Sequence, residues 1–197
     1  MRIVALDFET SGLDPKTHAP VTLGVAVMDG DDVAASQEWL FAPPTDKNGK
    51  ITREYSIAAM EINGIPWPKV KREGLPISKV MYELREFAAL HAVSGATVVA
   101  FNAPFDLAWY SECLFMGGSW NQALRRFETF SPPLVGPWQC ARLMACSQIE
   151  LDAYNLDAVA GYFKLARESE KHGALEDAIL AGQVFNRLRQ DAKQEAA

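Results

Sequence analysis

The chain has 197 residues, 49% of them apolar, which is enough for one substantial core and too little for a second domain of similar size. Its 19 Lys and Arg against 25 Asp and Glu give a formal charge of −6, which taken alone argues against a partner gripped through phosphates. Cys113, Cys140 and Cys146 form no C-x-x-C pair, so they point to neither a disulfide framework nor a zinc site and read as buried thiols in a reducing cytoplasm.

In chain order, "RIVALDFET" is an apolar, β-branched run of the kind buried on both faces of a sheet, and Asp7 stops it too early for a secretory signal. "PVTLGVAVMDG" and "DVAASQEWLFA", joined at Asp29-Gly30-Asp31, predict a hairpin beside it, so three strands open the domain. Residues 43–76 are rich in Pro and Gly and predict loops around one short helix at "SIAAMEIN". From Ile77, apolar residues at helical spacing predict a helix through Ala88, and "ATVVAFN" predicts a fourth, buried strand. Pro104 then opens a helix at "PFDLAWYSECLF", and "LVGPWQC" is a weaker fifth strand. Three helical stretches close the chain at "ARLMACSQ", "NLDAVAGYF" and about Ala174 to Arg189. Phe87 to Phe105 lacks Asp, Glu, Lys and Arg over a membrane-span length, but His91, Ser94, Gly95, Asn102 and Pro104 make it a helix end, a turn and a strand, with no membrane partner. The expected architecture is α/β, a mixed five-stranded sheet flanked by helices.

Alternate strand residues share a face, so Asp7 and Glu9 project together. Such a pair repels unless one acid stays protonated or a cation intervenes; in isolation it is equally a solvated strand end or the partner of Lys and Arg. Asp106 stands in the first turn of the helix after the fourth strand, where ligand sites gather in α/β folds, although an acid there also simply complements the helix dipole. Asp177 lies toward the packing stripe of the last helix, where an unpaired carboxylate is costly. His172 precedes it by five residues and titrates where a general base must. Four carboxylates and one His suggest hard divalent cations with a separate base, and two such ions can clamp a phosphodiester. Two Mg²⁺ would also take the charge from −6 to −2, easing the objection to nucleic acid.

"DFET" with Leu13, "FNAPFD" and "HGALEDA" resemble the three exonuclease motifs of the DnaQ-like (DEDDh) 3′–5′ exonucleases, the family of the polymerase III proofreading subunit and RNase T. The similarity runs from about residue 2 to residue 188 and includes "YNLDAVAGYFKL" between the second and third motifs. It implies a ribonuclease H-like fold, read here as one exonuclease domain over residues 1–190 with a short tail at 191–197. It implies hydrolysis from the 3′ end of DNA or RNA, releasing nucleoside 5′-monophosphates. By the same resemblance Asp7, Glu9, Asp106 and Asp177 would ligate two Mg²⁺, with Mn²⁺ as a substitute, and His172 would deprotonate the attacking water. Thr10 would hold the terminal 3′ hydroxyl through its backbone and Leu13 would pack on the terminal base, while Asn102 either orients substrate or a ligand or is a strand-end turn residue.

The sequence departs from the family at Asn63 and Phe101, where a His is common, and "WQCARLMA" lacks a frequent Asp-Thr pair. Basic residues in "PKVKR", "LRR" and "DKNGKITR", with Trp67, Trp120 and Phe127 nearby, could line a groove for a single strand or be ordinary solvated loops. A DNA polymerase or repair protein is the expected partner class. The competing function is a non-catalytic nucleic-acid-binding or scaffold subunit, against which the intact set of chemical residues counts.

Overall fold

The computed structural model of the chain describes residues 1–167 and 173–195, so His172 lies outside the described residues. The opening meander is β1 (Arg2–Thr10), β2 (Pro20–Asp29) and β3 (Asp32–Leu40). It turns at Gly30-Asp31, with Gly30 at φ 65°, a left-handed conformation open to a residue without Cβ. There follow α1 (Ile57–Asn63), α2 (Trp67–Glu73), α3 (Ile77–Leu90), β4 (Thr97–Ala100), α4 (Ala103–Met116), β5 (Ser119–Asn121) and β6 (Arg126–Glu128). The chain closes with β7 (Trp138–Cys140), α5 (Ala141–Gln148), α6 (Leu156–Tyr162) and α7 (Ala174–Glu195).

The main sheet has the order β3-β2-β1-β4-β7, with β2 antiparallel to both neighbours and β1, β4 and β7 mutually parallel. On one face Val4, Leu6 and Phe8 pack with Val80, Met81 and Leu84 of α3 and Trp109 of α4. On the other, Ile3 and Ala5 meet Val159 of α6 and Ala181, Val184 and Leu188 of α7. Burial on both faces explains why β1 reads as a continuous apolar run. At β1 the sheet changes from antiparallel to parallel pairing, so the carboxyl ends of β1 and β4 open side by side into one crevice.

Four expectations need correction. The loop-rich segment contains α2: Pro66 occupies its N-cap and Pro68 its first turn, where a missing N–H costs nothing, so these prolines start a helix. A two-stranded hairpin, β5-β6, follows α4 and had no clear sequence signal, because each strand is only three residues long. Helix α7 continues past Arg189 as far as Glu195, along helix-favouring Gln, Ala, Lys and Glu. Of the three unpaired cysteines, Cys113 is buried, Cys140 is half-buried and Cys146 is exposed. The uncharged stretch ends α3, forms β4 and begins α4, and no helix among the described residues is long and apolar enough to cross a membrane.

Candidate active site

The odd-numbered face of β1 passes from Ile3 and Ala5, under α7, to Asp7 and Glu9 beyond it. What lets α7 lie so close is Gly24, the cross-strand partner of Asp7. A Cβ on Gly24 would stand 2.2 Å from the Leu175 nitrogen and 2.4 Å from the Ala174 oxygen. The first turn of α7 therefore rests on the sheet itself, and the Leu175 N–H donates to Glu38 Oε1 of β3 at 3.2 Å. One carboxylate oxygen each from Asp7, Glu9 and Asp177 consequently lie within 4.8 Å of one another. Asp106 arrives from the opposite layer on the first turn of α4, is 2% exposed, and accepts the Phe8 N–H at 3.2 Å. Four of the five expected chemical residues thus converge at the end of β1.

This crowding is written into the acidities. Burial, then Asp106, Glu9 and Asp177, push the Asp7 carboxyl well above its ordinary range, with Arg167 opposing them. Burial raises Asp106 to about 7, with Glu9 adding to the rise and the Phe8 and Asp106 N–H groups opposing it. Arg167 offsets part of this crowding: it donates from Nε to Asp177 Oδ1 at 2.5 Å and also pairs with Asp157 of α6. A chelated solution should therefore show stability that depends on pH. Below about pH 4 Asp106 is protonated folded and unfolded alike; between about 4 and 7 only the folded state keeps its proton, so stability falls as pH rises and levels off above about 7. Urea unfolding in EDTA from pH 4 to 8 is expected to show a loss on the order of 4 kcal/mol; a stability that rises over that interval would contradict it.

A bulge between Glu9 and Thr10 redirects the chain where the strand meets the crevice. Thr10 is buried, its hydroxyl donating to Gly12 O at 2.6 Å, and its carbonyl accepts Asn63 Nδ2 from the end of α1 at 3.0 Å. Beside it opens a cavity of ≈ 530 Å³, a volume suited to a small ligand group, lined by Thr10, Leu13, His18, Ala59, Ile62 and Asn63. Leu13 is 84% exposed there, an apolar side chain held in the open. Its loop is pinned from behind by Glu112 of α4, 3% exposed, which pairs with Lys16 Nζ at 2.5 Å and Arg53 Nη2 at 2.6 Å. Asn102 is the exposed N-cap of α4 and makes no side-chain capping bond, while its carbonyl accepts the Phe105 and Asp106 N–H groups at 2.8 and 3.4 Å. Phe101 packs in the core under α5.

Sequence reasoning missed Gly24, Arg167, Glu112 and the part played by Asn63. A glycine inside a strand signals close backbone approach, and an acid on the inner side of an amphipathic helix signals a buried pair, so Gly24 and Glu112 carried readable hints. Arg167 and Asn63 carried none, because their partners stand 10 and 53 residues away on other elements, outside any local period.

A sheet of this order, with carboxylates gathered at the carboxyl end of its central strand, is that of a ribonuclease H-like fold. The family model described as Exonuclease (RNase_T) matches residues 4–185, and the chain belongs to that family. It is 28% identical over 189 residues to the PolC-type DNA polymerase III of Thermotoga maritima, covering 94% of this chain and 12% of that protein. It is 27% identical over 190 residues to the DNA polymerase III epsilon subunit of Rickettsia felis, covering 95% of this chain and 74% of that subunit. A solved structure of a moderately thermophilic Exonuclease I from Methylocaldum szegediense shares the fold, with a TM-score of 0.72 at 17% identity over 98% of this chain and 41% of that one. The chain thus spans about an eighth of the length of its PolC-type relatives.

Proposed function

We propose that the protein is a 3′–5′ exonuclease that hydrolyses phosphodiester bonds from the 3′ end of DNA or RNA and releases nucleoside 5′-monophosphates. The observation that carries this reading is the convergence of Asp7, Glu9 and Asp177 within 4.8 Å, with buried Asp106 alongside, next to a cavity of ≈ 530 Å³ lipped by Leu13. Membership of the exonuclease family supports it. The donor set fits a divalent cation: oxygen ligands only, and carboxyls whose ionisation is resisted by burial and by one another. Two Mg²⁺, or Mn²⁺ in their place, held by Asp7, Glu9, Asp106 and Asp177, would supply charge neutralisation at the scissile phosphate and a more acidic water.

The chain's own residues do the rest. Leu13 packs on the terminal base in the cavity. Asn63 fixes the Thr10 carbonyl through one lone pair, leaving the second for the terminal 3′ hydroxyl. His172, five residues before Asp177 in sequence, takes the proton of the attacking water. Asn102 holds the turn that delivers Asp106, which favours the turn reading of that residue. The epsilon-subunit relatives support a DNA polymerase or repair protein as partner, and the unpaired cysteines support work in the reducing cytoplasm. A purely non-catalytic scaffold has no use for repelling buried acids.

With Mg²⁺, a single strand labelled at its 5′ end should shorten progressively from the 3′ side with mononucleotides as product. Excess EDTA or Asp7→Ala should stop this, and full activity under either condition would overturn the reading.

A further inference from the structure

The β5-β6 hairpin has no part in the site described above, yet with the end of α4 it carries a group of exposed apolar side chains. Phe115 at the end of α4, with Trp120, Leu124 and Phe127 of the hairpin, are between 44% and 57% exposed. Phe115 and Phe127 lean together with ring centroids 5.2 Å apart, and Lys16 Nζ sits 5.5 Å from the Phe115 centroid. Lys16 belongs to the loop that holds Leu13 over the cavity, so the aromatic patch continues the lip of the candidate active site.

We infer that this face binds the single strand of nucleic acid behind its 3′ end, the bases stacking on Trp120, Phe127 and Phe115 and the phosphates meeting Lys16, Arg125 and Arg126. The inference rests on the exonuclease reading and extends it from the terminal nucleotide to the strand that follows.

Charge selects this occupant over an apolar protein surface. In a chain of net charge −6, the patch carries Arg125 in the hairpin turn and Arg126 on β6, with Lys16 beside the Phe115 ring. The basic side chains outnumber the acids they pair with, since Lys16 and Arg53 share the single carboxylate of Glu112, and Glu128 is held by Arg126 and Asn121. Asp14 turns its carboxylate to the Lys16 N–H and the Thr17 hydroxyl of its own loop. Arg125 forms no ion pair among the described residues and is exposed at φ 50°, a left-handed position unusual for a residue with a side chain.

Distance agrees as well. Asp106 and Phe115 lie nine residues apart on α4, about 14 Å at ~1.5 Å per residue. A stacked strand rising ~3.4 Å per nucleotide covers that in about four nucleotides. Of the basic and aromatic clusters visible in sequence, the one around Trp67 lines a separate cavity with Tyr55 and Met60, on the other face of α1 from the Leu13 cavity.

The test compares Trp120→Ala and Arg125→Ala with the parent on a 12-nucleotide strand and on the p-nitrophenyl ester of thymidine 5′-monophosphate, which ends within the base cavity. The ratio of kcat/KM on the strand to that on the ester should fall about tenfold for Trp120→Ala, through KM, since one base–aromatic stack is lost. For Arg125→Ala the salt dependence of strand binding should weaken by about one ion. Titration of the parent with dT12 or rU12 in EDTA should quench tryptophan fluorescence, and the quench should vanish in Trp120→Ala; the two probes separate DNA from RNA. An unchanged ratio together with an unchanged quench would overturn the inference. So would self-association of the parent that Trp120→Ala abolishes while strand binding persists. A parent that binds dT12 at Trp120 but cleaves no strand would instead overturn the exonuclease reading and leave the binding face standing.

Discussion

Asp106→Asn is expected to stabilise the protein in EDTA at pH 8 by about 2–4 kcal/mol while lowering exonuclease kcat by at least ~10³-fold. Asp106 is 2% exposed and raised to about 7, so at pH 8 it is ionised in a setting that disfavours the charge. Asn removes that charge, keeps an oxygen to accept the Phe8 N–H, and can turn its NH₂ toward the neighbouring carboxylates. The cost falls on chemistry, because a neutral amide cannot supply the negative charge that holds a divalent cation; losing ~4 kcal/mol of transition-state stabilisation corresponds to about three orders of magnitude in rate. Thermal unfolding should show the gain as a rise of roughly 5–10 °C in Tm at pH 8, shrinking toward zero near pH 4, where the parent's Asp106 is already protonated. An equal gain at both pH values would mean that packing, and not charge, separates the two proteins. The site would then be an instance of stability given up for function, with the cation restoring what the acids cost.

The order of strands and helices was legible because the two sheet faces impose it. Runs such as "RIVAL" and "TVVA" must be buried on both sides, and the stripe from Ile77 to Ala88 can cover only one of them. The carboxylates were legible for the opposite reason: Asp7, Glu9, Asp106 and Asp177 break the apolar pattern at places where the pattern demands continuity. Spacing within β1 showed that Asp7 and Glu9 share a face, but nothing local showed that α7 would meet that face at its first turn. That contact depends on Gly24, a residue on a different strand. Pro66 and Pro68 misled because proline is compatible with a loop and with a helix start, and only the continuation through Val70 to Glu73 decides between them. The hairpin at 119–128 and the pairing of Arg167 with Asp157 and Asp177 involve segments too short, or partners too far apart, to leave a periodic trace.

The dependence on Gly24 yields the second large effect. Gly24→Ala is expected to lower Tm by roughly 5–10 °C and kcat/KM by at least ~100-fold. The added Cβ would meet the backbone of Ala174 and Leu175 at 2.2–2.4 Å, and backbone, unlike a side-chain tip, cannot turn aside. The sheet beneath Gly24 is fixed by pairing to β1 and β3, so it is the start of α7 that must lift. Lifting it moves Asp177 away from Asp7 and Glu9 and strains the Leu175 N–H bond to Glu38. A displacement on the order of 1 Å is enough to cost about 100-fold in rate when three carboxylates must converge on one centre. Gly161→Ala supplies the contrast: a Cβ there meets nothing within 4 Å, and alanine favours the α6 helix, so stability should hold or rise by up to ~1 kcal/mol with kcat/KM unchanged. Calorimetry and steady-state kinetics on both variants separate a general intolerance of substitution from a specific one. A Gly24→Ala protein with parental Tm and activity would mean that α7 docks on the sheet with slack, and that Asp177 does not owe its place to the missing side chain.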